Sequence, residues 1–180
     1  MAVRLIYETH SLTVDNETGI ATGWLPGELS QAGRELAVEL GVRRRDVDVV
    51  YASDLRRAVQ TAEVAFSDKQ FSDEQSIRLD PRLRECDYGI YNGRPVSEVA
   101  RLRRRFVDVP WPGGQSYRQV VAETAAFLEE VMDRWQGCSV LVISHSANRW
   151  ALQNLLEGAE LAELVDAPFA WQPGWEYTLA

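Results

Sequence analysis

Short apolar runs alternate with amphipathic segments along this chain, and this alternation restricts its fold more than any other feature. The segment Ser139–Ile143 (SVLVI) is the clearest run, because its nearly unbroken apolar character is typical of a central strand in a parallel sheet. Val3–Tyr7 and Asp48–Ala52 are predicted as further strands, Ile77–Leu79 as a weaker one, and Glu176–Leu179 as a closing edge strand. We therefore predict an α/β fold, a three-layer sandwich with a mostly parallel sheet and helices on both faces.

Polar residues at the ends of the amphipathic segments indicate where the first two helices start and stop. Ser30 is a plausible N-cap for a helix over Gln31–Leu40, and Gly41 is placed to end it. Asp54 is the expected N-cap of a second helix that runs through Ala65.

The longest helix is predicted from a capping box and helical spacing of apolar residues. Ser116 and Gln119 stand three residues apart, as the capping box requires, and the apolar pattern continues over Tyr117–Trp135. Glu98–Phe106 is predicted as a short arginine-rich helix, and Ala147–Leu156 as a helix after the central strand.

Length and composition favour one globular domain. The chain has 180 residues, of which 46% are hydrophobic and 26% charged, so we expect a single domain over residues 1–180. Asn16–Gly27 is rich in Gly and Thr and is predicted as a loop. Cys86 and Cys138 are too few for a disulfide framework or a cysteine-rich zinc site.

The charge and hydropathy of the chain exclude several classes of partner. A formal net charge of −8 argues against binding nucleic acid through a basic face. The amino terminus lacks the features of a signal peptide, and no stretch reaches the ~18 apolar residues of a membrane helix. We expect a soluble, cytoplasmic protein with neither nucleic acid nor a membrane as partner, either a monomer or a homodimer.

The two histidines of the chain both follow predicted strands. His10 comes after the first strand and His145 after the central one, while Arg57 lies shortly after the second. Because ligands of open α/β sheets bind beyond the carboxyl ends of the strands, we expect both histidines to share one pocket.

These positions resemble motifs of the histidine phosphatase superfamily, the phosphoglycerate-mutase-like enzymes. In that family a histidine follows the first strand in an Arg-His-Gly motif, with an asparagine six residues later. Here Thr9-His10-Ser11 and Asn16 stand at those places. Residues 52–58 (ASDLRRA) resemble the second-strand motif, in which the arginine before alanine binds phosphate, so the resemblance implies that role for Arg57.

Three later segments extend the resemblance over nearly the whole chain. Residues 80–89 (DPRLRECDYG) resemble the acid motif of the family and imply that Glu85 is the proton donor. Residues 112–116 (PGGQS) resemble the turn before the long helix, and residues 141–145 (LVISH) match the strand that carries the second histidine. The resemblance implies a phosphoglycerate-mutase-like version of the predicted sandwich.

The resemblance also implies a mechanism. Neutral His10 would attack phosphorus to form a phosphohistidine, while Arg57 and a protonated His145 stabilise charge on the phosphoryl oxygens. Glu85 would protonate the leaving alcohol and then activate water. No metal or other cofactor is implied. The remaining candidates for contact with the substrate are Thr9, Ser11, Thr13, Asn16, Thr22, Gly23 and Ser146.

The sequence departs from the family pattern around the nucleophile. Thr9 replaces an arginine that offers phosphate a bidentate fork, and Ile20 stands where another arginine is common. Arg149 and the run 101–105 are the available replacements, although that run is typical of a solvated helix face.

Glu8 leaves several interpretations open, because it stands two residues before His10 on the same face of an extended strand. It could be a solvated or paired carboxylate at the strand end with no part in the chemistry. Its carboxylate could favour a protonated His10 and repel phosphate, pair with Arg57, or orient the imidazole.

Three functions are compatible with these residues. The first is a phosphatase acting on a small phosphorylated metabolite, favoured over a mutase because only a short segment separates the Glu85 motif from the turn at residues 112–116. The second is a repurposed enzyme that performs acid–base chemistry on a substrate without phosphate, and the third is an inactive binding module. The Trp24 loop and the Phe106–Trp111 segment are expected to border the pocket. Trp171, Trp175 and Tyr177 could line a lid or an interface, although packing in the core and edge strand is the expected role.

Overall fold

A mostly parallel sheet organises the fold. The computed structural model describes residues 1–68 and 77–180, and within them five strands form the central sheet in the order β4-β3-β6-β1-β7. All neighbours are parallel except β7, which pairs antiparallel with β1 at the edge. A separate antiparallel ribbon joins β2 to β5. The strands are β1 (Val3–Thr9), β2 (Ile20–Ala21), β3 (Val49–Ala52), β4 (Arg78–Leu79), β5 (Arg94–Pro95), β6 (Ser139–Ser144) and β7 (Trp175–Leu179).

Helices cover both faces of the sheet, which confirms the predicted α/β sandwich. The pair α2 and α3 packs on one face, and the pair α5 and α6 on the other. Within the described residues no helix is both long enough and apolar enough to cross a membrane. The helices are α1 (Val14–Thr18), α2 (Gln31–Arg43), α3 (Arg56–Ala65), α4 (Val96–Leu102), α5 (Tyr117–Arg134), α6 (Ser146–Glu157) and α7 (Leu161–Asp166), with 3-10 turns at Pro81–Leu83, Gly89–Tyr91 and Arg103–Phe106.

Strand β1 shows why its sequence must be apolar on both faces. Successive side chains of a strand point to opposite faces, so Leu5 and Tyr7 pack with Phe127 beneath α5, whereas Ile6 packs with Ala58 beneath α3. Both layers exclude water, and burying such side chains contributes roughly 1.5–3 kcal/mol each. The same two-sided burial fixes the register that brings the ends of β1 and β6 together.

Helix α2 is longer than the sequence predicts, because Gly41 does not end it. The helix continues to Arg43, and Gly41 lies where α2 crosses α3. A Cβ at this position would stand 1.9 Å from the backbone oxygen of Ala65. Glycine is therefore required for the close approach of two helices, and the prediction of a stop signal was wrong.

Other boundaries also differ from the predictions. Leu55, not Asp54, is the N-cap of α3, because the Asp54 carboxylate pairs with Arg84 at 2.6 Å instead. Asn16–Gly27 is only partly a loop, since a capping box at Thr13 starts the short helix α1 and a strand follows it. The predicted helix over Glu98–Phe106 is divided between α4 and a 3-10 turn.

Replacing Gly41 by alanine tests the α2–α3 contact. Alanine in an exposed helix normally stabilises by up to about 1 kcal/mol relative to glycine. Here the added methyl group would force the two helices apart, so we expect a loss of about 1–3 kcal/mol in the free energy of unfolding, measured by urea denaturation. Val42→Ala, at a neighbouring position that is 61% exposed, should change it by less than about 0.5 kcal/mol. A stabilised Gly41→Ala protein would contradict the observed packing.

Candidate active site

Both histidines lie at one edge of the sheet, where β1 and β6 end side by side. The backbone N–H of His10 donates to the carbonyl oxygen of Ser144 at 2.8 Å, which extends the strand pairing one residue beyond β1. The Tyr7 hydroxyl donates to the backbone oxygen of His145. The two imidazole rings consequently lie 5.1 Å apart, centroid to centroid. The strand register thus brings together two residues that are 135 positions apart in the sequence.

Hydrogen bonds around His10 determine which of its ring nitrogens carries the proton. Nδ1 lies 2.8 Å from the backbone oxygen of Ser11, so it must be the protonated nitrogen that donates. Nε2 is then the nitrogen with a free lone pair, and it accepts a hydrogen bond from Nε of Arg57 at 3.3 Å. The lone pair of Nε2 therefore points at the guanidinium of Arg57, a cation whose other N–H groups could also attract an anion.

Arg57 places a buried guanidinium beside His10. It is the second residue of α3, and its side chain is only 2% exposed. Nη2 donates to the backbone oxygen of Gly23 at 2.9 Å, whereas buried Nη1 has no hydrogen-bond partner within the described residues. A buried donor without a partner costs about 1–3 kcal/mol, and more when charged, so this nitrogen is well suited to bind an anion.

His145 lies deeper than His10, and within the described residues its ring nitrogens also lack hydrogen-bond partners. Its side chain is fully buried, and neither ring nitrogen finds a hydrogen-bond partner in the described part of the chain. The residue does not itself line the cavity; it lies against His10, behind the wall. Access to His145 therefore requires a shift of the His10 or Arg57 side chain.

The environment keeps both imidazoles neutral. Burial lowers the pKa of His10 to about 3, and the Arg57 cation acts in the same direction. Burial, followed by the charges of Arg57 and His10, also lowers the pKa of His145 well below its usual range. A neutral His10 agrees with the predicted nucleophile. The expected protonated His145 does not occur in the protein alone, although an adjacent anion would raise its pKa.

Glu85 is held on the far side of Arg57 by short hydrogen bonds. Its Oε1 accepts from the backbone N–H of Cys86 at 2.8 Å, and its Oε2 accepts from the Ser146 hydroxyl at 3.0 Å. The Trp24 indole donates to the backbone oxygen of Glu85 at 2.6 Å, and the guanidinium of Arg84 covers the Trp24 ring at 4.7 Å. Trp24 thus helps to fix the backbone of Glu85 and does not line the cavity.

The other predicted contact residues divide into two groups. Thr13 does not line the cavity, because its buried hydroxyl caps α1. The Ser11 hydroxyl donates to the backbone oxygen of Gly33 at 2.6 Å, so it is already committed although Ser11 lies in the wall. The predicted contact residues found in the cavity wall are Thr9, Ser11, Asn16, Thr22, Gly23 and Ser146.

Glu8 is a paired carboxylate at the strand end, which is one of the interpretations left open by the sequence, and it takes none of the three roles at the nucleophile. Its carboxylate is buried and bound by two arginines, Arg43 at 3.1 Å and Arg44 at 2.8 Å. Strand alternation places Glu8 on the face of the sheet that α2 covers, and the last turn of α2 provides both cations. Its negative charge is therefore compensated locally, and it pairs with neither Arg57 nor His10.

Only one of the proposed replacement arginines reaches the cavity. Arg103 lines the wall, which corrects the interpretation of the 101–105 run as a purely solvated face. Arg149 instead stacks on Trp175 at 4.8 Å and pairs with Glu157 at 3.2 Å, so it serves the edge of the sheet.

The sequence analysis missed a large part of the cavity wall. The expected border at Phe106–Trp111 is absent from it, because Phe106 and Trp111 stack on each other at 4.1 Å in a core cluster. No signal within one helix marks the α2 residues as ligand-facing. The expected core or edge-strand packing of Trp171 was wrong, because its side chain is exposed and borders the cavity. The missed residues include Leu36, Glu39, Leu40 and Arg43 of α2, Tyr88, Val96, and Phe169 and Pro173 near the carboxyl terminus.

The lowered histidine pKa values predict acid-sensitive stability. Below pH ~6.5 the unfolded chain binds protons at His10 and His145 that the folded protein excludes, so stability falls as the pH decreases toward the folded values. For His10 the loss should be about 1.6 kcal/mol between pH 6.5 and pH 5, as the slope approaches about 1.4 kcal/mol per pH unit, and His145 acts in the same direction. Urea unfolding of the wild type and of His10→Gln and His145→Gln at these pH values measures the effect.

Each substitution should remove its share of that pH dependence, because glutamine does not titrate. Carboxylates contribute equally to the wild type and the variants, so the difference between them isolates the histidines. Variants with the same slope as the wild type would show that the rings are not held neutral.

Comparison with known proteins agrees with this geometry. A sequence profile of the histidine phosphatase superfamily (branch 1) matches residues 9–171. Phosphoserine phosphatase 1 of Hydrogenobacter thermophilus is 33% identical over 172 residues, covering 89% of this chain and 79% of that protein. A 2,3-bisphosphoglycerate-dependent phosphoglycerate mutase of a Methylobacterium strain is 30% identical over 168 residues, covering 86% and 80%.

A solved structure extends the likeness to three dimensions. A mycobacterial glucosyl-3-phosphoglycerate phosphatase in complex with VO3 superimposes with a TM-score of 0.77 at 27% identity, covering 90% of this chain and 85% of that one. Since the profile spans most of the sequence, the chain belongs to the histidine phosphatase superfamily (branch 1).

Proposed function

We propose that this protein is a phosphatase that hydrolyses a small phosphorylated metabolite through a phosphohistidine on His10. The observation that carries the proposal is the group of buried, unpartnered nitrogens beside the free lone pair of His10 Nε2. Nη1 of Arg57 and both ring nitrogens of His145 have no partner within residues 1–68 and 77–180. A phosphoryl group in the cavity would accept from Nη1 of Arg57 while presenting phosphorus to Nε2 of His10, and a shift of the His10 or Arg57 side chain would add an N–H of His145.

The first step transfers the phosphoryl group from the substrate to the protein. Nε2 of His10 leaves its hydrogen bond with Arg57, forms the N–P bond and displaces the alcohol as the P–O bond breaks. Arg57 then donates to the phosphoryl oxygens, and His145 becomes accessible and protonated as the anion raises its pKa. Glu85 gives its proton to the leaving oxygen, so the alcohol departs neutral.

The second step returns the protein to its starting form. The ionised Glu85 takes a proton from water as the water oxygen attacks phosphorus and the N–P bond breaks. The Ser146 hydroxyl and the Cys86 N–H both contact the Glu85 carboxylate and hold it in place for these proton transfers. Inorganic phosphate leaves, and His10 Nε2 regains its lone pair.

The surroundings of the nucleophile favour this function over the two alternatives. Glu8, which suggested chemistry without phosphate, is neutralised by Arg43 and Arg44 and leaves the positive charge of Arg57 undiminished. A binding module would not need the Nδ1 proton of His10 directed to Ser11 so that Nε2 stays free. Arg103 in the wall provides a further cation in place of the arginine that Thr9 replaces.

The comparisons include both phosphatases and mutases, so water must be distinguished from an alcohol as the second acceptor. We favour water because the connection between Glu85 and the turn at residues 112–116 is short, holding β5, α4 and two 3-10 turns and no longer insertion. We further propose that no metal or cofactor takes part, since Arg57 and His145 supply the charge that a metal would otherwise provide.

A rapid-quench experiment tests the proposed nucleophile. Incubation with phosphoserine or glycerol phosphate, followed by an alkaline quench that preserves phosphohistidine, should give a phosphoryl adduct on the peptide that contains His10. His10→Ala should lose the adduct and at least about 10³-fold in kcat/KM. His145→Gln should slow its formation, because it removes charge stabilisation but not the nucleophile.

The same experiment includes its controls. Release of inorganic phosphate should continue in the presence of a chelator, and 3-phosphoglycerate should not be isomerised. A broad panel of monoesters without any His10-dependent phosphate release would overturn the proposed function, and efficient isomerisation would replace it with mutase activity.

A further inference from the structure

The cavity that opens on His10 is larger than a phosphoryl group requires. Its volume is about 710 Å³, which lies within the ~300–1,000 Å³ of pockets that hold drug-sized ligands. The reacting groups His10, Arg57 and Glu85 account for only one part of the wall. If the protein is the phosphatase proposed above, the remaining wall faces the alcohol portion of the substrate.

Two segments, α2 and the loop before β7, form a large part of this remaining wall. The α2 wall consists of Leu36, Glu39, Leu40 and Arg43, which recur at the three- and four-residue spacing of one helix face. The tail loop, residues 167–174, adds Phe169, Trp171 and Pro173. Trp171 is 60% exposed although it borders a cavity, which leaves an aromatic face available to a ligand. The lining combines aliphatic, aromatic and proline carbon with only two charged side chains.

Arg43 offers this part of the cavity one well-positioned donor. Its Nε donates to Oε1 of Glu8 and its Nη2 to Oε2, both at 3.1 Å, so the planar guanidinium is fixed. Its Nη1 has no hydrogen-bond partner in the described chain, and the side chain is 30% exposed. Glu39 lies one helical turn earlier and supplies an acceptor next to this donor.

Glu8 also helps to fix the tail loop, through its second partner, Arg44. Arg44 binds Oε1 of Glu8 at 2.8 Å and donates from Nη2 to the backbone oxygen of Pro173 at 3.1 Å. Gly174 has φ of +84°, and a Cβ there would lie 2.1 Å from Nη2 of Arg44. The loop therefore rests directly on the Glu8–Arg44 pair, which holds Trp171 near the α2 wall.

The charges of this wall argue against a second phosphate. Arg43 and Arg44 are both bound to Glu8, Arg44 also pairs with Glu176, and Glu39 adds a further negative charge. A second anionic group against α2 would meet Glu39, and both arginines at this end of α2 are already bound to Glu8. An uncharged ring with hydrogen-bonding atoms on its edge suits one donor, one acceptor and apolar surroundings.

We propose that the α2 wall and the tail loop form a subsite for an aromatic, uncharged ring carried by the alcohol portion of a phosphate monoester. The ring packs against Trp171 and Leu36, and its polar edge hydrogen-bonds Nη1 of Arg43 and the carboxylate of Glu39. The inference rests on the proposed phosphatase function and adds the class of its substrate.

A matched pair of substrates tests this subsite. Ribose 5-phosphate and the nucleoside 5′-monophosphates share the same primary-alcohol leaving group and differ by the base. At least one base should raise kcat/KM over ribose 5-phosphate by about tenfold or more, chiefly through KM, as expected for burial of one ring. Fructose 1,6-bisphosphate should gain nothing over a sugar monophosphate.

Variants assign the preference to the proposed residues. Trp171→Ala and Arg43→Met should each reduce the ratio of nucleotide to ribose 5-phosphate kcat/KM by about fivefold or more. Val38→Ala and Arg34→Met change exposed residues of α2 outside the cavity, and they should leave both the ratio and the activity unchanged. Because Trp171 is largely exposed, its substitution tests the subsite without threatening the fold.

The outcomes separate the two proposals. Equal kcat/KM for ribose 5-phosphate and every nucleotide, or an unchanged ratio in Trp171→Ala, would overturn the subsite while the phosphatase function stands. Absence of His10-dependent phosphate release from all of these monoesters would overturn the phosphatase function, and the subsite with it.

Discussion

The buried guanidinium of Arg57 is the group on which the site depends. Removing a cation from water costs several kcal/mol unless partners compensate it, and within the described residues Arg57 bonds directly only to the Gly23 carbonyl and the lone pair of His10. After burial, its charge is the next cause of the lowered pKa values of both histidines. Arg57 therefore helps to keep His10 neutral, and its unpartnered Nη1 can bind an anion.

The fold itself fixes where the groups that would bind an anion lie. Pairing of β1 with β6 sets the distance between the histidines, and the start of α3 sets Arg57. Glu85 follows a 3-10 turn, with the indole of Trp24 bonded to its backbone. The backbone positions of these groups are therefore fixed in advance, and the rearrangement needed for phosphoryl transfer is confined to the His10 and Arg57 side chains that separate His145 from the cavity.

The departures from the family pattern are compensated in the fold. Glu8 would weaken an anion site if it were free, yet the end of α2 supplies two arginines that bind it. The arginine lost at Thr9 has a counterpart in Arg103, which reaches the cavity from a 3-10 turn. The Glu8 cluster also anchors the tail loop, so a charge that first suggested impaired catalysis contributes to the shape of the cavity.

What could be predicted from the sequence depends on how local the signal is. Strand character follows from apolar runs, and the position of His10 and His145 after strands is sufficient to place them at one sheet edge. Gly41 and Asp54 were misassigned because a glycine or an aspartate has several uses, and only the packing of α3 or the presence of Arg84 decides between them.

The tertiary part of the site was beyond such signals. Nothing near Glu8 in the sequence identifies Arg43 and Arg44 as its partners, and the cavity wall joins α2 to a loop more than a hundred residues later. The assignment of one domain to residues 1–180, the cytoplasmic location and the choice between monomer and homodimer stay predictions.

Calorimetry of tungstate binding tests whether an anion binds beside Arg57 and protonates His145, because tungstate is a dianion near neutral pH and mimics phosphate. Titrations at pH 7.5 in buffers of different ionisation enthalpy give the number of protons taken up. We expect one tungstate per chain and uptake of about one proton, since the dianion raises the pKa of His145. His145→Gln should bind more weakly and take up none. Binding without proton uptake, or equal uptake in His145→Gln, would show that His145 does not become protonated beside the bound anion.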